Sequence, residues 1–160
     1  MEFGPRALGC RSVLGDPRDR RIVEKVNKIL KQRDWFMPYA PSMLDDAREE
    51  YLQDAESAPF MIMPFWATKK MLRDAPAGVH VDNSTRPQTV EKSVNPLYYK
   101  LIKKFGNETG VPILLNTSFN KHGQPIVWSP ENAIWHLENK HVDELIIGDF
   151  WVRRKGKGES

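Results

Sequence analysis

Cysteine is almost absent from this 160-residue chain, which contains only Cys10. A single thiol excludes an internal disulfide and a metal site built from several cysteines. The four histidines are scattered along the chain and show no metal-ligand spacing. The sequence therefore predicts no metal site with protein ligands, and its cysteine usage fits a protein of the reducing cytoplasm.

Long apolar runs are also missing. No segment approaches the roughly 20 apolar residues that cross a bilayer. The N-terminal MEFGPRALG lacks the charged and then apolar pattern of a secretory signal. We therefore expect no membrane partner. The net charge of +3 is too small to imply nucleic acid, and a small anionic ligand explains it equally well.

Helical patterns and short apolar runs alternate along the chain. A helix is predicted after Asp16-Pro17, ending near Arg33, and an acidic helix is predicted from Ser42 to about Asp54. Two more begin at Asn95-Pro96 and Ser129-Pro130, where a capping residue precedes a first-turn proline. The third helix should bury a stripe formed by Leu97, Leu101, Ile102 and Phe105.

The apolar runs GVHVD, GVPILL and ELIIGDFWV read as strands. With 40% apolar residues, the chain is long enough for one domain with a real core. The alternation predicts an α/β or α+β fold. We place the domain at residues 1–153 and expect 154–160 to be a disordered tail.

The polar run NTSFN follows GVPILL, where ligands commonly bind in open α/β sheets. Asn116, Thr117, Ser118 and Asn120 offer hydroxyls and amides that suit a phosphate or a planar amide. A plain turn explains the same composition, because Asn and Ser bond their own backbone in turns.

A second polar cluster, HVDNSTRPQTV, contains His80, Asp82, Asn83 and Arg86. The guanidinium fork of Arg86 suits phosphate or carboxylate. Asp82 can orient this arginine or simply pair with it at the surface. His80 reads as a hydrogen-bonded structural histidine, because no nucleophile lies beside it in the sequence.

Other cations lie in two further segments. Lys31 and Arg33 end a helix in KQRDWF, where positive charge also complements the helix dipole. Arg6 lies in the Gly-Pro loop GPRALG, which is neither a Walker A loop nor a dinucleotide fingerprint. With Arg86 and NTSFN they form a polyanion site if the fold brings them together. His136 and His141 straddle a helix end and read as surface residues.

Five stretches occur in an order that resembles a known family: MEFGPRALG, PYAPS after the cationic helix end, HVD before Arg86, TGVPILLNTSFN, and DELIIGDFWV. They are similar to the C-terminal domain of the nodulation-type and antibiotic O-carbamoyltransferases. That domain resembles the YrdC-like fold, so the resemblance implies an open, twisted, mixed sheet flanked by helices.

The resemblance implies a reaction as well. In the full enzymes the YrdC-like part binds carbamoyl phosphate and ATP, with Mg²⁺ on the ATP phosphates, and makes carbamoyl adenylate. A separate N-terminal domain of the actin-like ATPase superfamily then passes the carbamoyl group to an acceptor hydroxyl. We expect this chain to support only the carbamoyl-adenylate half-reaction.

Site residues follow from the same resemblance. Arg6, Lys31 and Arg33 would hold phosphates, and Arg86 would grip carbamoyl phosphate or the adenylate. Asn116, Ser118 and Asn120 would bind the phosphates and the carbamoyl group. Lys31, Arg86 and Ser118 are the expected catalytic residues.

The sequence departs from the family pattern at two positions. Met37 lies where the family commonly has an arginine, which implies one cation fewer. Asn83 replaces a glycine, and Asn is the best substitute for glycine in left-handed backbone. Other readings remain open: an inert domain, a structural domain that docks on the catalytic half, or an RNA-binding YrdC-like module. The scarcity of basic runs outside the tail makes nucleic acid the less favoured partner.

Overall fold

The computed structural model describes residues 9–34, 37 and 39–155. Its strands are β1 (Ser12–Gly15), β2 (Ala40–Leu44), β3 (Phe65–Trp66), β4 (Ser84–Thr85), β5 (Gln88–Val90), β6 (Ile113–Ser118), β7 (Glu144–Ile147) and β8 (Phe150–Arg153). Its α-helices are α1 (Arg21–Val26), α2 (Arg48–Tyr51), α3 (Lys69–Asp74), α4 (Pro96–Thr109) and α5 (Pro130–Glu138). Helix α1 continues as a π-helical turn (Asn27–Lys31), and 3₁₀ turns cover Asp45–Ala47 and Pro76–Gly78. The mixed strands and helices confirm the predicted α/β class.

The central sheet is mixed and has the strand order β1-β6-β2-β5. β6 pairs antiparallel with β1 and with β2, and β2 pairs parallel with β5. β3 and β4 form a small antiparallel pair, and β7 and β8 form another. β6 therefore lies inside the sheet and is buried along most of its length, which explains the continuous apolar run at its start.

Three hydrophobic clusters pack around the central sheet. The largest one packs α2, α3 and α4 against β2 and β6, around fully buried Met43, Met71 and Ile102. A second one joins α5 and the β7-β8 hairpin to Phe119 and Val127, which follow β6. The third cluster packs Leu115 of β6 against Tyr39 and α1, so β6 contributes to two of the three clusters.

Two predicted helix starts are confirmed with their caps. Asn95 accepts a hydrogen bond from the backbone N–H of Tyr98 at 3.0 Å, and Pro96 is in the first turn of α4. Ser129 accepts one from Asn132 N at 3.2 Å, and Glu131 lies in the first turn of α5. These side chains satisfy N–H groups that a helix start leaves unpaired.

The other two helix predictions need correction. Ser42 does not cap a helix, because it lies in β2, and its hydroxyl donates to Gln88 Oε1 at 2.8 Å. The helical segment begins only at Asp45 and is short. Asp16 does not cap α1, which begins at Arg21, because the Asp16 carboxylate pairs with Arg18 instead.

The strand predictions also shift. GVHVD is not a strand: Gly78 lies in a 3₁₀ turn, and the strands follow it at Ser84–Thr85 and Gln88–Val90. ELIIGDFWV is a hairpin, with Gly148 at φ 56° in its turn. NTSFN is not a loop beyond the strand, because β6 runs on to Ser118.

Burial on α4 differs from the predicted stripe. Ile102 is buried and Phe105 is half-buried, but Leu97 is 80% exposed and Leu101 is 46% exposed. Tyr98 and Tyr99 take the core-facing positions instead. The prediction placed the aliphatic residues in the core, whereas the structure buries Tyr98 and Tyr99 there.

Arg154 is not part of a frayed tail. Its Nη1 donates to the backbone oxygens of Leu137 at 2.6 Å and Val142 at 2.7 Å. A guanidinium that satisfies a carbonyl in the last turn of α5 is favourable there. Residues 156–160 lie outside the described part of the chain. Within that part, no helix is both long enough and apolar enough to cross a membrane.

Candidate functional site

The register of the central sheet brings the polar motifs to one end of it. β6 ends at Ser118, which lies opposite Ser12, the first residue of β1. Asn116 lies opposite Ala40, the first residue of β2. β5 begins at Gln88, opposite Ser42. The end of β6 therefore lies between the beginnings of β1 and β2, and β5 begins at the same end of the sheet on the far side of β2.

This arrangement corrects the expectation that the site lies at the carboxyl ends of strands. NTSFN is at a carboxyl end, but KQRDWF precedes β2 and HVDNSTR precedes β5. The MEFGPRALG motif precedes β1, and only its last residue, Gly9, is described, so the predicted role of Arg6 lies outside the described residues. Antiparallel pairing of β6 with its neighbours is the physical reason, since it places opposite strand ends together.

Lys31 is the most deeply buried cation of the site. It is 1% exposed, and its Nζ donates to Ser118 O at 2.5 Å, Ser118 Oγ at 3.1 Å and Asn120 Oδ1 at 2.7 Å. A buried ammonium group is tolerable only when its donors find acceptors. Left-handed Gln32 (φ 47°) ends the preceding helical turn.

The loop after β6 is tied together by its own side chains. Ser118 Oγ donates to Asn120 Oδ1 at 2.6 Å. Asn120 Nδ2 donates to Lys121 O at 3.0 Å and to Gln124 O at 2.6 Å. Gly123 follows with φ 74°, the left-handed conformation that a glycine adopts without strain. The loop at the end of β6 is thus held by its own hydrogen bonds and by those from buried Lys31.

Arg33 lies beside the same strand end. Its Nη2 reaches Thr117 Oγ1 at 3.4 Å, and its guanidinium lies 5.2 Å from the centroid of the Tyr39 ring. Tyr39 donates to Asn27 Oδ1 at 2.5 Å, and burial raises its pKa to about 12 although the Arg33 charge acts the other way. Among the described residues, Arg33 forms no ion pair, so its charge is available to an anion.

Arg86 is half-buried and makes no hydrogen bond or ion pair within the described chain; its Nε is buried without a partner. Asp82 does not orient it, because the Asp82 carboxylate accepts from Ser84 N at 2.9 Å and Ser84 Oγ at 2.7 Å. His80 pairs through Nδ1 with Ser84 Oγ at 3.0 Å, as a structural histidine would. Burial lowers the pKa of His80, and the nearby Arg86 charge lowers it further, against the opposing effect of Asp82.

The backbone of this motif includes the predicted left-handed residue. Asn83 has φ 67°, which is the conformation that its replacement of glycine requires. Its N–H donates to His80 O at 3.1 Å and closes the turn. The substitution therefore preserves the turn that precedes Arg86.

Asn116 belongs to a buried polar cluster behind the strand end. Its Nδ2 donates to Gln88 Oε1 at 2.8 Å and to Ser42 Oγ at 3.1 Å. Gln88 Nε2 donates to Pro59 O at 3.2 Å. Asn116 thus uses its amide N–H groups to hold three strands together, and its predicted contact with a ligand would have to come from its other atoms.

Four buried polar atoms without a hydrogen-bond partner lie at or beside this end of the sheet. They are Ser12 Oγ, His80 Nε2, Arg86 Nε and Tyr98 Oη. Tyr98 Oη lies near Ser42 and Asn116 without a hydrogen bond of good geometry, and burial raises its pKa. Buried polar groups are nearly always paired, so a cluster of unpaired ones indicates a place for water or a ligand.

His136 and His141 are not both surface residues. His136 is 2% exposed, its Nδ1 lies 3.1 Å from His141 Nδ1, and its ring packs against Phe119 and Trp135. Burial lowers the pKa of His136 to about 4, with further lowering from His141 and from the charges of Lys121 and Lys31. This pair adjoins the loop after β6, and the sequence reasoning missed it because the spacing of five was read as two exposed positions.

Sequence reasoning therefore found the cations and the end of β6, but missed their supports. Gln88 and Tyr98 were not singled out, and Ser42 was interpreted as a helix start, although Ser42 and Gln88 lie within PYAPS and RPQTV. Polar residues within strands flanked by apolar neighbours were the available signal.

The donor set fits an anion and not a metal ion. The candidate residues carry guanidinium, ammonium, hydroxyl and amide groups, and no carboxylate is among them. No group of three or more potential metal ligands occurs in the described residues. A magnesium ion would therefore be held by phosphate oxygens of a ligand.

Comparison with known proteins agrees with the motif order. Residues 1–154 match the family described as Carbamoyltransferase C-terminus. The chain belongs to this family.

Relatives of the carbamoyltransferase family span several kinds of organism. A protein of Methanocaldococcus jannaschii is 44% identical over 155 residues, covering 97% of this chain and 26% of its own length. Nodulation protein NolNO of Sinorhizobium fredii is 40% identical, covering 96% and 23%. The 3'-hydroxymethylcephem-O-carbamoyltransferase of Amycolatopsis lactamdurans is 32% identical, covering 96% and 29%. This chain thus spans about a quarter of the length of the curated relatives that it matches.

Proposed function

We propose that this carbamoyltransferase C-terminal domain binds carbamoyl phosphate and ATP and forms carbamoyl adenylate. A separate N-terminal domain would then transfer the carbamoyl group to an acceptor hydroxyl. The proposal combines the family membership with the anion-binding chemistry of the sheet end. It includes a YrdC-like fold, which agrees with the mixed sheet and its flanking helices.

The observation that carries the proposal is the convergence of uncompensated positive charge on the end of β6. Arg86 and Arg33 have no carboxylate partner among the described residues, and Lys31 supports the strand end from beneath. A half-buried cation without a counter-ion is costly, and an anionic ligand removes the cost. Unpaired Tyr98 Oη and Ser12 Oγ add neutral donors at the same end.

The reaction itself requires this kind of site. Water splits carbamoyl phosphate into carbamate and phosphate, and a carbamate oxygen then attacks the α-phosphorus of ATP, which forms carbamoyl adenylate and releases pyrophosphate. Fixed cations offset the repulsion between the two anions and hold them in line. In this scheme Arg86 binds the carbamoyl donor and Arg33 binds phosphate. Ser118 contributes its hydroxyl and backbone, and Lys31 fixes their positions.

The geometry refines the expected role of Lys31. It donates to Ser118 and Asn120 at the end of β6, and it is almost fully buried. We propose that Lys31 fixes the loop after β6 and that its positive charge attracts the anionic ligand without touching it. Direct contact between Lys31 and phosphate would require its hydrogen bonds to Ser118 and Asn120 to break.

Calorimetry with this chain tests the proposal. We expect heat of binding with carbamoyl phosphate, with Mg-ATP, and with both together. Arg86→Ala should weaken carbamoyl phosphate binding by roughly 30-fold, equivalent to about 2 kcal/mol for a charge-assisted pair. Arg73→Ala is the matched control, because Arg73 is exposed on α3 and pairs with Asp74.

Two outcomes would contradict the proposal. One is a folded wild-type chain that binds neither compound. The other is equal affinity for carbamoyl phosphate in Arg86→Ala and wild type. Binding of RNA oligonucleotides in preference to both compounds would favour the alternative of an RNA-binding module.

A further inference from the structure

Three exposed apolar residues at the start of α4, Val94, Leu97 and Leu101, are together called the stripe. Their side chains are 61%, 80% and 46% exposed. Leu97 and Leu101 are one helical turn apart and share a face, and Val94 immediately precedes the cap of the helix. Isolated exposed leucines are ordinary, but three aliphatic side chains in one stripe mark an interaction surface.

The opposite side of the same helix is already buried. Tyr98, Tyr99 and Ile102 face the large hydrophobic cluster. The first half of α4 is therefore apolar around almost its whole circumference, with Lys100 as its polar exception. A helix of that kind is normally covered on all sides, whereas a surface helix keeps one polar face.

Two lysines border Leu97 and Leu101 on one side of α4. Lys100 and Lys104 are exposed, and neither forms an ion pair with another described residue. The surface thus has an apolar part with a cationic edge. It is complementary to a surface that has apolar side chains with carboxylates beside them, since charge complementarity orients partners at a protein interface.

The N-terminal end of the described chain lies against the first turn of α4, the turn that also carries Leu97. A β-carbon at Gly9 would lie 2.8 Å from the ring of Tyr98, so Gly9 packs tightly on the first turn of α4. The relatives are roughly four times as long as the matched segment, which the family description places at the carbamoyltransferase C-terminus. In such a protein, the preceding part of the chain enters the described residues at Gly9, next to this turn of α4.

From these observations we propose that the stripe Val94, Leu97 and Leu101 is the docking surface for the N-terminal part of a carbamoyltransferase. The proposal depends on the family and on the separate N-terminal domain of the proposed function. It does not depend on which anion the sheet end binds. Burial of the stripe would orient α4, and through Tyr98 the buried side of the site, relative to that N-terminal part.

The test uses a chimera in which this chain replaces the matched C-terminal segment of the Methanocaldococcus jannaschii relative. In a Cys10→Ser background, one probe variant carries Leu97→Cys and the control carries Lys103→Cys. Both positions are on α4, and the Lys103 side chain lies about 120° around the helix axis from that of Leu97. The rate of alkylation at each introduced thiol is followed by peptide mass spectrometry, in the chimera and in this chain alone.

We expect Leu97→Cys to react at least about tenfold more slowly in the chimera than in the isolated chain, because the docked surface must open first. Lys103→Cys should react at similar rates in both. Val94→Cys provides a second probe outside the helix, which keeps the test valid if Leu97→Cys unfolds. Cooperative thermal melting of each variant establishes that it is folded.

Equal reactivity of the stripe thiols in both proteins would overturn the proposal. So would slow reaction in the isolated chain together with a dimer in sedimentation, because a second copy would then be the occupant. Neither result would bear on anion binding at the sheet end, which the calorimetry measures separately.

Discussion

The ammonium group of Lys31 lies 2.5 Å from the backbone oxygen of Ser118, although 87 positions separate the two residues in the sequence. This bond joins the end of the first helical segment to the end of the central strand. It also places a buried charge directly behind the corner where the candidate ligand would bind. The stability of the fold and the electrostatics of the site are therefore linked through one side chain.

Lys31→Met is expected to lower the free energy of unfolding by about 2 kcal/mol or more, because Ser118 O and Asn120 Oδ1 lose a charged donor. Urea denaturation followed by circular dichroism measures the change. Lys28→Met is the control, since Lys28 is exposed in the same π-helical turn. Equal destabilisation by the two substitutions would show that the buried bonds are dispensable.

Ser118→Ala is expected to weaken binding of carbamoyl phosphate or ATP by about 1 kcal/mol, a typical value for one neutral hydrogen-bonding group. Lys31→Ala should weaken it more, and should also reduce the sensitivity of binding to salt, since it removes a charge. Titration calorimetry at two salt concentrations distinguishes the two effects. Ser93→Ala serves as the control, because Ser93 is exposed and bonds only Glu91. Wild-type affinity in Ser118→Ala would restore the interpretation of this segment as a plain structural corner.

The stability of the domain should fall as the pH decreases from about 6.5 towards 4. The folded protein lowers the pKa of His136 from 6.5 to about 4, so the unfolded chain takes up a proton that the folded chain resists. The contribution of neutral His136 to the free energy of unfolding is fully present above the pKa of 6.5 in the unfolded chain, and it is lost as the pH falls towards the folded pKa of about 4. Because carboxylates titrate nearby, the informative quantity is the difference between wild type and variant.

His136→Gln should flatten this pH dependence, whereas the exposed His122→Gln should leave it unchanged. Urea denaturation at about pH 7, 6, 5 and 4 measures the free energy of unfolding of wild type and of the two variants across this range. If the free energy of unfolding has the same pH dependence in wild type and in His136→Gln, His136 is not the cause of that dependence.

The isolated chain is expected not to carbamoylate an acceptor hydroxyl. The described residues contain no metal-ligand cluster, and the proposed transfer depends on a separate N-terminal domain. Incubation with ATP and labelled carbamoyl phosphate should leave a 3'-hydroxymethylcephem, the acceptor named in one relative, unlabelled. Labelled cephem formed by this chain alone in metal-free buffer would refute the expectation.

Local signals predicted those parts of the fold in which neighbours in sequence decide the structure. The caps at Asn95 and Ser129 and the left-handed Asn83 were all predictable, because each depends on a few adjacent residues. Ser42 was misread because the same residue type caps helices and satisfies buried amides. Its partner Gln88 is 46 positions away, and no local pattern reveals such a bond.

The candidate site was predictable in its residues but not in its arrangement. Arg86 and Ser118 were singled out from motifs, yet only the strand register shows that they approach the same end of the sheet. The exposure of Leu97 was unpredictable for a related reason. An apolar helix face looks the same in the sequence whether its own core or another protein covers it.

The position of β6 between β1 and β2 sets the order in which the protein can be assembled as it leaves the ribosome. β1 and β2 both precede β6 in the chain but do not pair with each other, and each pairs with the strand that ends at Ser118. Pairings between strands so distant in sequence form slowly, and their unpaired edges are exposed in the meantime. The sheet can therefore close only after Ser118 has been translated. A fragment that stops before β6 would keep only the pairing of β2 with β5.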